Sequence, residues 1–146
     1  MKPTARKTLL LLHVITSVGW LGVTAGNLVL AVAAFREPVL YQAMRLLGDW
    51  VVLPLALGSL ASGVAISLAT KWGLVRHRWV LTKFALTVAA VLATFFLLRP
   101  GLRDAADGVA GSAGRDVLVA SCVSLTIYVT STVLSVFKPW GRTRWA

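Results

Sequence analysis

The chain has 146 residues, 58% of them hydrophobic and 14% charged, which excludes an ordinary soluble domain and leaves room for one membrane bundle. Fifteen Lys and Arg against five Asp and Glu give a net charge of +10, but no nucleic-acid motif accompanies that charge, so nucleic acid is not expected as a partner. The single cysteine, Cys122, excludes an internal disulfide and reads as a small buried residue.

The first apolar run, 8–35, is long enough to cross a bilayer. Lys2, Arg6 and Lys7 precede it and Ala31-Val32-Ala33 resembles a signal cleavage site, yet the run is about twice the length of a signal core and three similar runs follow. It therefore reads as a retained span. His13, Ser17, Trp20, Thr24 and Asn27 recur at steps of four, three, four and three, which stacks them on one helix face. An unpartnered polar atom in hydrocarbon costs several kcal/mol, so this stripe must look inward. Gly22 and Gly26 lie beside it as a Gly-x-x-x-Gly pair, where a neighbouring backbone can approach.

Arg36-Glu37-Pro38 makes a turn, and a second helix follows from about Val39, amphipathic over 41–49 and spanning over 50–70. Pro54 predicts a kink, and Gly58, Ser59, Ser62 and Gly63 form two overlapping small-x-x-x-small pairs suited to close packing. The link 71–78 is basic, with Trp72 and Trp79 as interfacial anchors and His77 solvated. The third span, 79–98, carries Lys83, Thr87, Ala90 and Thr94 on one face and ends at Arg99-Pro100-Gly101. The stretch on to Asp116 reads as a flexible loop or short surface helix. The last span, 117–137, carries Ser121, Ser124, Tyr128, Ser131 and Ser135 on one face, and 138–142 closes it.

The fold class predicted is thus all-α, a single domain over 1–146 forming a bundle of four transmembrane helices. Nine basic residues and no acidic one fall in the two termini and the second link, whereas all five carboxylates fall in the other two connections. The positive-inside rule then puts both termini in the cytoplasm and the chain in the plasma membrane, with membrane lipids as partners and a homo-oligomer or larger complex open.

Counting about 1.5 Å of rise per residue places His13 and Lys83 at similar depth, with Ser67 and Ser135 near the same level. Together they make a cationic, hydrogen-bonding pocket for a carboxylate, a phosphate or the propionates of a haem. In that reading His13 binds the haem iron, and Trp20 and Lys83 also contact the cofactor. Its bland counterpart is a satisfied buried histidine and a lysine that snorkels to the headgroups. Asp49, one turn after Arg45, is explained by an i,i+4 ion pair or, more sharply, as a general acid in a cofactor-free cyclase or isomerase acting on an isoprenoid or other lipid. Lys83 and Tyr128 would assist it, and Asn27, Trp50 and Ser124 would contact the substrate. A third reading is a non-enzymatic subunit whose small-residue faces pack against a partner. No soluble metal, phosphate-loop or triad motif is present.

Lys71-Trp72-Gly73-Leu74, Arg76-His77, Trp79-Val80-Leu81 with Lys83, and the tail Lys138-Pro139-Trp140-Gly141-Arg142 resemble a group of small four-span membrane proteins of actinobacteria, over nearly the whole chain. That group brings no settled function. More distantly, His13 followed by Trp20 and Gly22, then Pro54 and Gly63, and Trp79 ahead of Lys83, resemble the HemJ-type protoporphyrinogen oxidases and the copper-resistance D membrane domains. The HemJ resemblance implies His13 as haem ligand and Lys83 as a partner of porphyrin carboxylates. HemJ-type proteins follow the tryptophan with a Leu-Pro-Arg segment and another histidine, and 21–35 has neither, so the resemblance does not carry their activity.

Overall fold

The computed structural model describes residues 2–70, 76–108 and 112–139. The expected anchor Trp72, most of the basic link and the end of the tail lie outside these residues. Four helices are long and apolar enough to cross a membrane: α1 (Pro3–Ala33), α2 (Leu40–Ala69), α3 (Arg78–Ala106) and α4 (Ala113–Phe137). The all-α fold read from the sequence is the one observed, that of a multi-pass membrane protein. Large apolar side chains such as Val18, Val29, Phe96 and Val136 face outward, as lipid contact requires. Cys122 is exposed among them, correcting its expected burial: it lies off the hydroxyl stripe of α4.

The helices form a ring in which α1 packs on α2 and α4, and α3 packs on α4 and α2. Close approach of α1 and α2 rests on Gly58 and Gly63, where an added Cβ would lie 3.0 Å from Thr16 Cγ2 and 3.1 Å from His13 Cε1. Gly22 and Gly26 do not take part. An added Cβ at either meets nothing within 4 Å, so the Gly-x-x-x-Gly pair of α1 faces away from its own bundle.

Helices α2 and α3 share one irregularity. Each contains a π turn, Gly48–Val52 in α2 and Thr94–Leu98 in α3, and each π turn is followed two residues later by a proline, Pro54 or Pro100. A proline ring collides with the carbonyl four residues back, Trp50 or Phe96, and a π turn moves that carbonyl aside. Pro100 therefore does not end the third helix as its sequence suggested. The helix runs on to Ala106 and stops at Gly108, whose φ of 71° favours glycine. The stretch expected as a loop or surface helix begins as this continuation.

Extended this way, α2 and α3 reach 30 and 29 residues, longer than the roughly 20 that a span needs. At the end away from the termini, here called the distal end (the opposite end is the terminal end), they pack on each other around Ala31, Ala34, Tyr41, Met44, Leu98, Leu102 and Val117. Trp20, Val52, Ala56, Ala90 and Tyr128 make a second apolar layer at mid-bundle. Towards the terminal end no comparable layer follows among the described residues, and the helices stand apart around a cavity.

Candidate functional site

That cavity is about 350 Å³, within the range of small-molecule sites, and all four helices line it. His13 from α1, Ser59 and Ser67 from α2, Thr70 just after it, Lys83 and Thr87 from α3, and Ser135 from α4 supply its polar atoms. Its other walls are apolar, with Leu60, Val64 and Phe84 among them. The stripes of the sequence converge here because each helix turns its three-four face to the common axis. They are buried at mid-bundle, as at Trp20, Thr24, Thr94 and Ser124, and half-buried where the cavity opens, as at His13, Ser17, Lys83 and Ser135.

The histidine is held in one orientation. Its Nδ1 lies 3.2 Å from the Ser59 carbonyl and 3.0 Å from Ser62 Oγ, while the Ser62 hydroxyl itself donates to the Gly58 carbonyl at 2.6 Å. A carbonyl can only accept, so Nδ1 carries the proton, and in the neutral ring Nε2 keeps its lone pair. None of the described hydrogen bonds uses Nε2. One turn on, the hydroxyls of Ser17 and Ser59 bond at 2.8 Å, so α2 meets the first two steps of the α1 stripe.

Lys83 Nζ donates to Ser135 Oγ across the cavity. None of the five acidic side chains lines the cavity: Glu37, Asp49, Asp104, Asp107 and Asp116 all belong to the distal half or its connections. Among the described residues the amine thus has the Ser135 hydroxyl as its partner and no acidic side chain beside it. Burying a charge that way is expensive unless something arrives to balance it.

Other predicted residues are placed elsewhere. Trp20 is buried above the cavity rather than on its wall, with its ring 4.4 Å from that of Tyr128. Tyr128 sits beside Thr24, Thr94 and Ser124, and Asn27 is buried beyond them. Among the described residues Asn27 Oδ1 has no hydrogen-bond partner, and Trp20 Nε1 faces Tyr128 without a well-formed bond. Asp49 does not pair with Arg45. Its Oδ1 accepts from Arg99 Nε at 2.7 Å, joining the π turn of α2 to the residue after the π turn of α3, while Arg45 lies 3.4 Å from Asp107. Trp50 points outward, 78% exposed, and contributes to no interior site. The suggested set of Asp49, Lys83 and Tyr128 is therefore not assembled in one place.

Sequence reasoning treated Ser59, Ser62 and Gly63 as packing residues only. Their part in orienting His13 was signalled by hydroxyls at an i,i+3 spacing on the helix most closely packed against it. Trp79, expected as an interfacial anchor, lines the cavity, and His77 is half-buried beside it, with ring centroids 6.5 Å apart, rather than solvated.

Among the described residues no group of three or more His, Cys, Asp or Glu could hold a metal ion. A haem needs less from the chain. The arrangement offers one imidazole whose Nδ1 is held by a carbonyl and whose Nε2 is used by none of the described hydrogen bonds, and an amine bonded to a hydroxyl, which are the kinds of donor that a haem iron and its carboxylates would use. Comparison of the chain with known protein families, with curated proteins and with solved structures found no match in any of the three.

Proposed function

We propose that this protein holds an amphiphile with an acidic head group in its terminal cavity, with haem or another porphyrin as the ligand that also engages His13. The observation that carries this reading is the uncompensated Lys83 ammonium facing the same cavity as His13. Lys83 and Ser135 would take a carboxylate, His13 Nε2 would face the centre of the ligand, and the apolar walls would cover its body. A haem held there would supply a one-electron redox centre. The chain's own part is to fix the imidazole through Ser59 and Ser62, balance the acid and keep lipid off the polar atoms.

The test is the visible absorption spectrum of protein purified in mild detergent from cells fed a haem precursor. A Soret band that disappears in His13→Ala supports haem. A colourless, monodisperse protein removes haem and leaves an acid-headed amphiphile without a metal.

Orientation belongs to the same proposal. Lys2, Arg6, Lys7, Arg76, Arg78 and Lys138 share the terminal end with the cavity, and by the positive-inside rule that end would be cytoplasmic, with the plasma membrane as the proposed location. The cavity then opens near the inner leaflet. No geometry favours a lipid cyclase or isomerase built on Asp49, whose carboxylate is bonded to Arg99 away from the cavity. A role as a subunit of a larger complex would use the outward face of Gly22 and Gly26.

A further inference from the structure

We propose that the cavity is loaded sideways from the bilayer, through the seam between α2 and α3, and that it accepts a long-chain carboxylic acid whose tail stays in that seam. This rests on the acid-headed reading above and narrows it to a ligand class and a route.

Three observations combine. The first is charge: the cavity offers one ammonium, and no acidic side chain is among the described residues that line it. One carboxylate balances one ammonium, whereas a phosphate monoester brings about 1.5 to 2 negative charges at neutral pH. The second is the wall. Leu60 and Val64, one turn apart on α2, and Phe84 on α3 line the cavity and are only half-buried. They provide apolar surface for a chain, with no polar atom to desolvate as it passes. The third is how α2 and α3 are joined. Their distal parts are packed on each other and tied by Asp49 to Arg99, and at the terminal end the chain joins them through 70–77, while among the described residues the stretch between shares far less contact than α1 shares with α2. Two helices fixed at both ends and sparsely packed between them part most easily in that middle stretch, to which Leu60, Val64, Lys83 and Phe84 belong. The modest volume follows, since only the head and the first part of the chain need fit inside.

The experiment uses the full chain in lipid nanodiscs with a long-chain fatty acid carrying a photoreactive diazirine near its carboxyl end. After illumination, peptide mass mapping locates the adducts. The expected result is labelling concentrated on the cavity walls of α2 and α3, reduced about tenfold in Lys83→Gln, the order expected for loss of a charge-assisted bond, and kept in Lys83→Arg. Val64→Trp, which fills the seam and leaves every polar group in place, should reduce it as well, so the proposal does not depend on one variant folding. Labelling spread over outward side chains such as Val18 and Val136, or unchanged by both Lys83→Gln and Val64→Trp, overturns the proposal. A colourless protein that still takes the label on the cavity walls removes haem and keeps the lipid acid. A Soret band together with labelling that ignores Lys83 keeps haem and rejects the lipid acid.

Discussion

His13 is set by a few atoms of α2, and this makes its position sensitive to a single methyl group. An alanine at position 63 would bring Cβ to 3.1 Å from His13 Cε1, and the ring, held by Ser59 and Ser62, has little room to retreat. Gly63→Ala is therefore expected to weaken any His13-dependent spectrum and to cost about 1–3 kcal/mol of stability, the usual penalty for overpacking. Gly22→Ala adds the same methyl where nothing lies within 4 Å and should stay within about 0.5 kcal/mol of the parent. Unfolding titrations in mixed detergent would compare the two. Much of this site was legible in the sequence: the three-four spacing of the stripes and the rise per residue bring His13, Lys83, Ser67 and Ser135 to one level, and all four line the cavity. The partners of His13 were not legible, because which residues of α2 it meets depends on how far the two helices slide past each other.

At the scale of the element, the ion pairs distinguish local from tertiary pairing. The sequence offered Arg45 to Asp49 at i,i+4, but Asp49 pairs with Arg99 across the packed α2 and α3, a tertiary contact that a reading of Arg-Pro-Gly as a stop conceals. The side chains of Asp49 and Arg99 are 26% and 22% exposed, so Asp49→Asn is expected to cost about 1–2 kcal/mol in thermal unfolding while leaving ligand binding at the far end unchanged. Failure of cavity labelling or of a haem spectrum in Asp49→Asn would show the two ends to be coupled. Arg45 and Asp107 are 42% and 64% exposed at 3.4 Å, and Asp107→Asn should cost less than about 1 kcal/mol. The start of α4 supplies a separate check on the distal end. A Cβ at Gly114 would fall 2.5 Å from the Tyr41 hydroxyl, so Gly114→Ala should destabilise the protein and Tyr41→Phe, which removes that oxygen, should relieve most of the loss.

Across the whole molecule, packing quality falls from the distal end to the terminal end, from an apolar plug through the Trp20 and Tyr128 layer to an open cavity. In a bilayer this gradient cannot be read as hydrophobic burial, since lipid tails are as apolar as leucine, and tight packing with satisfied polar groups is what holds helices together. The distal half is then the structural half, and the terminal half is free to serve a ligand. Hydrogen exchange in nanodiscs should report slower exchange around Val52 and Ala90 than around Ser67 and Lys83, and a ligand that fills the cavity should reduce the difference.

The paired π turns have one more consequence, for the register of the helices along their length. A π turn is in effect one residue inserted into an α-helix, and one residue is worth about 100° of rotation. The distal halves of α2 and α3 are thus phased for each other, while beyond the insertions the same helices are phased for the common axis, presenting Ser59, Ser62 and Lys83 inward. Deleting a single residue from 48–52 would let α2 relax to an unbroken α-helix and swing Ser59 and Ser62 a quarter-turn or so away from His13, with no side chain of the site altered. The placement of the site is written, in part, as a count of residues between the two ends of the helix rather than as the identity of any of them.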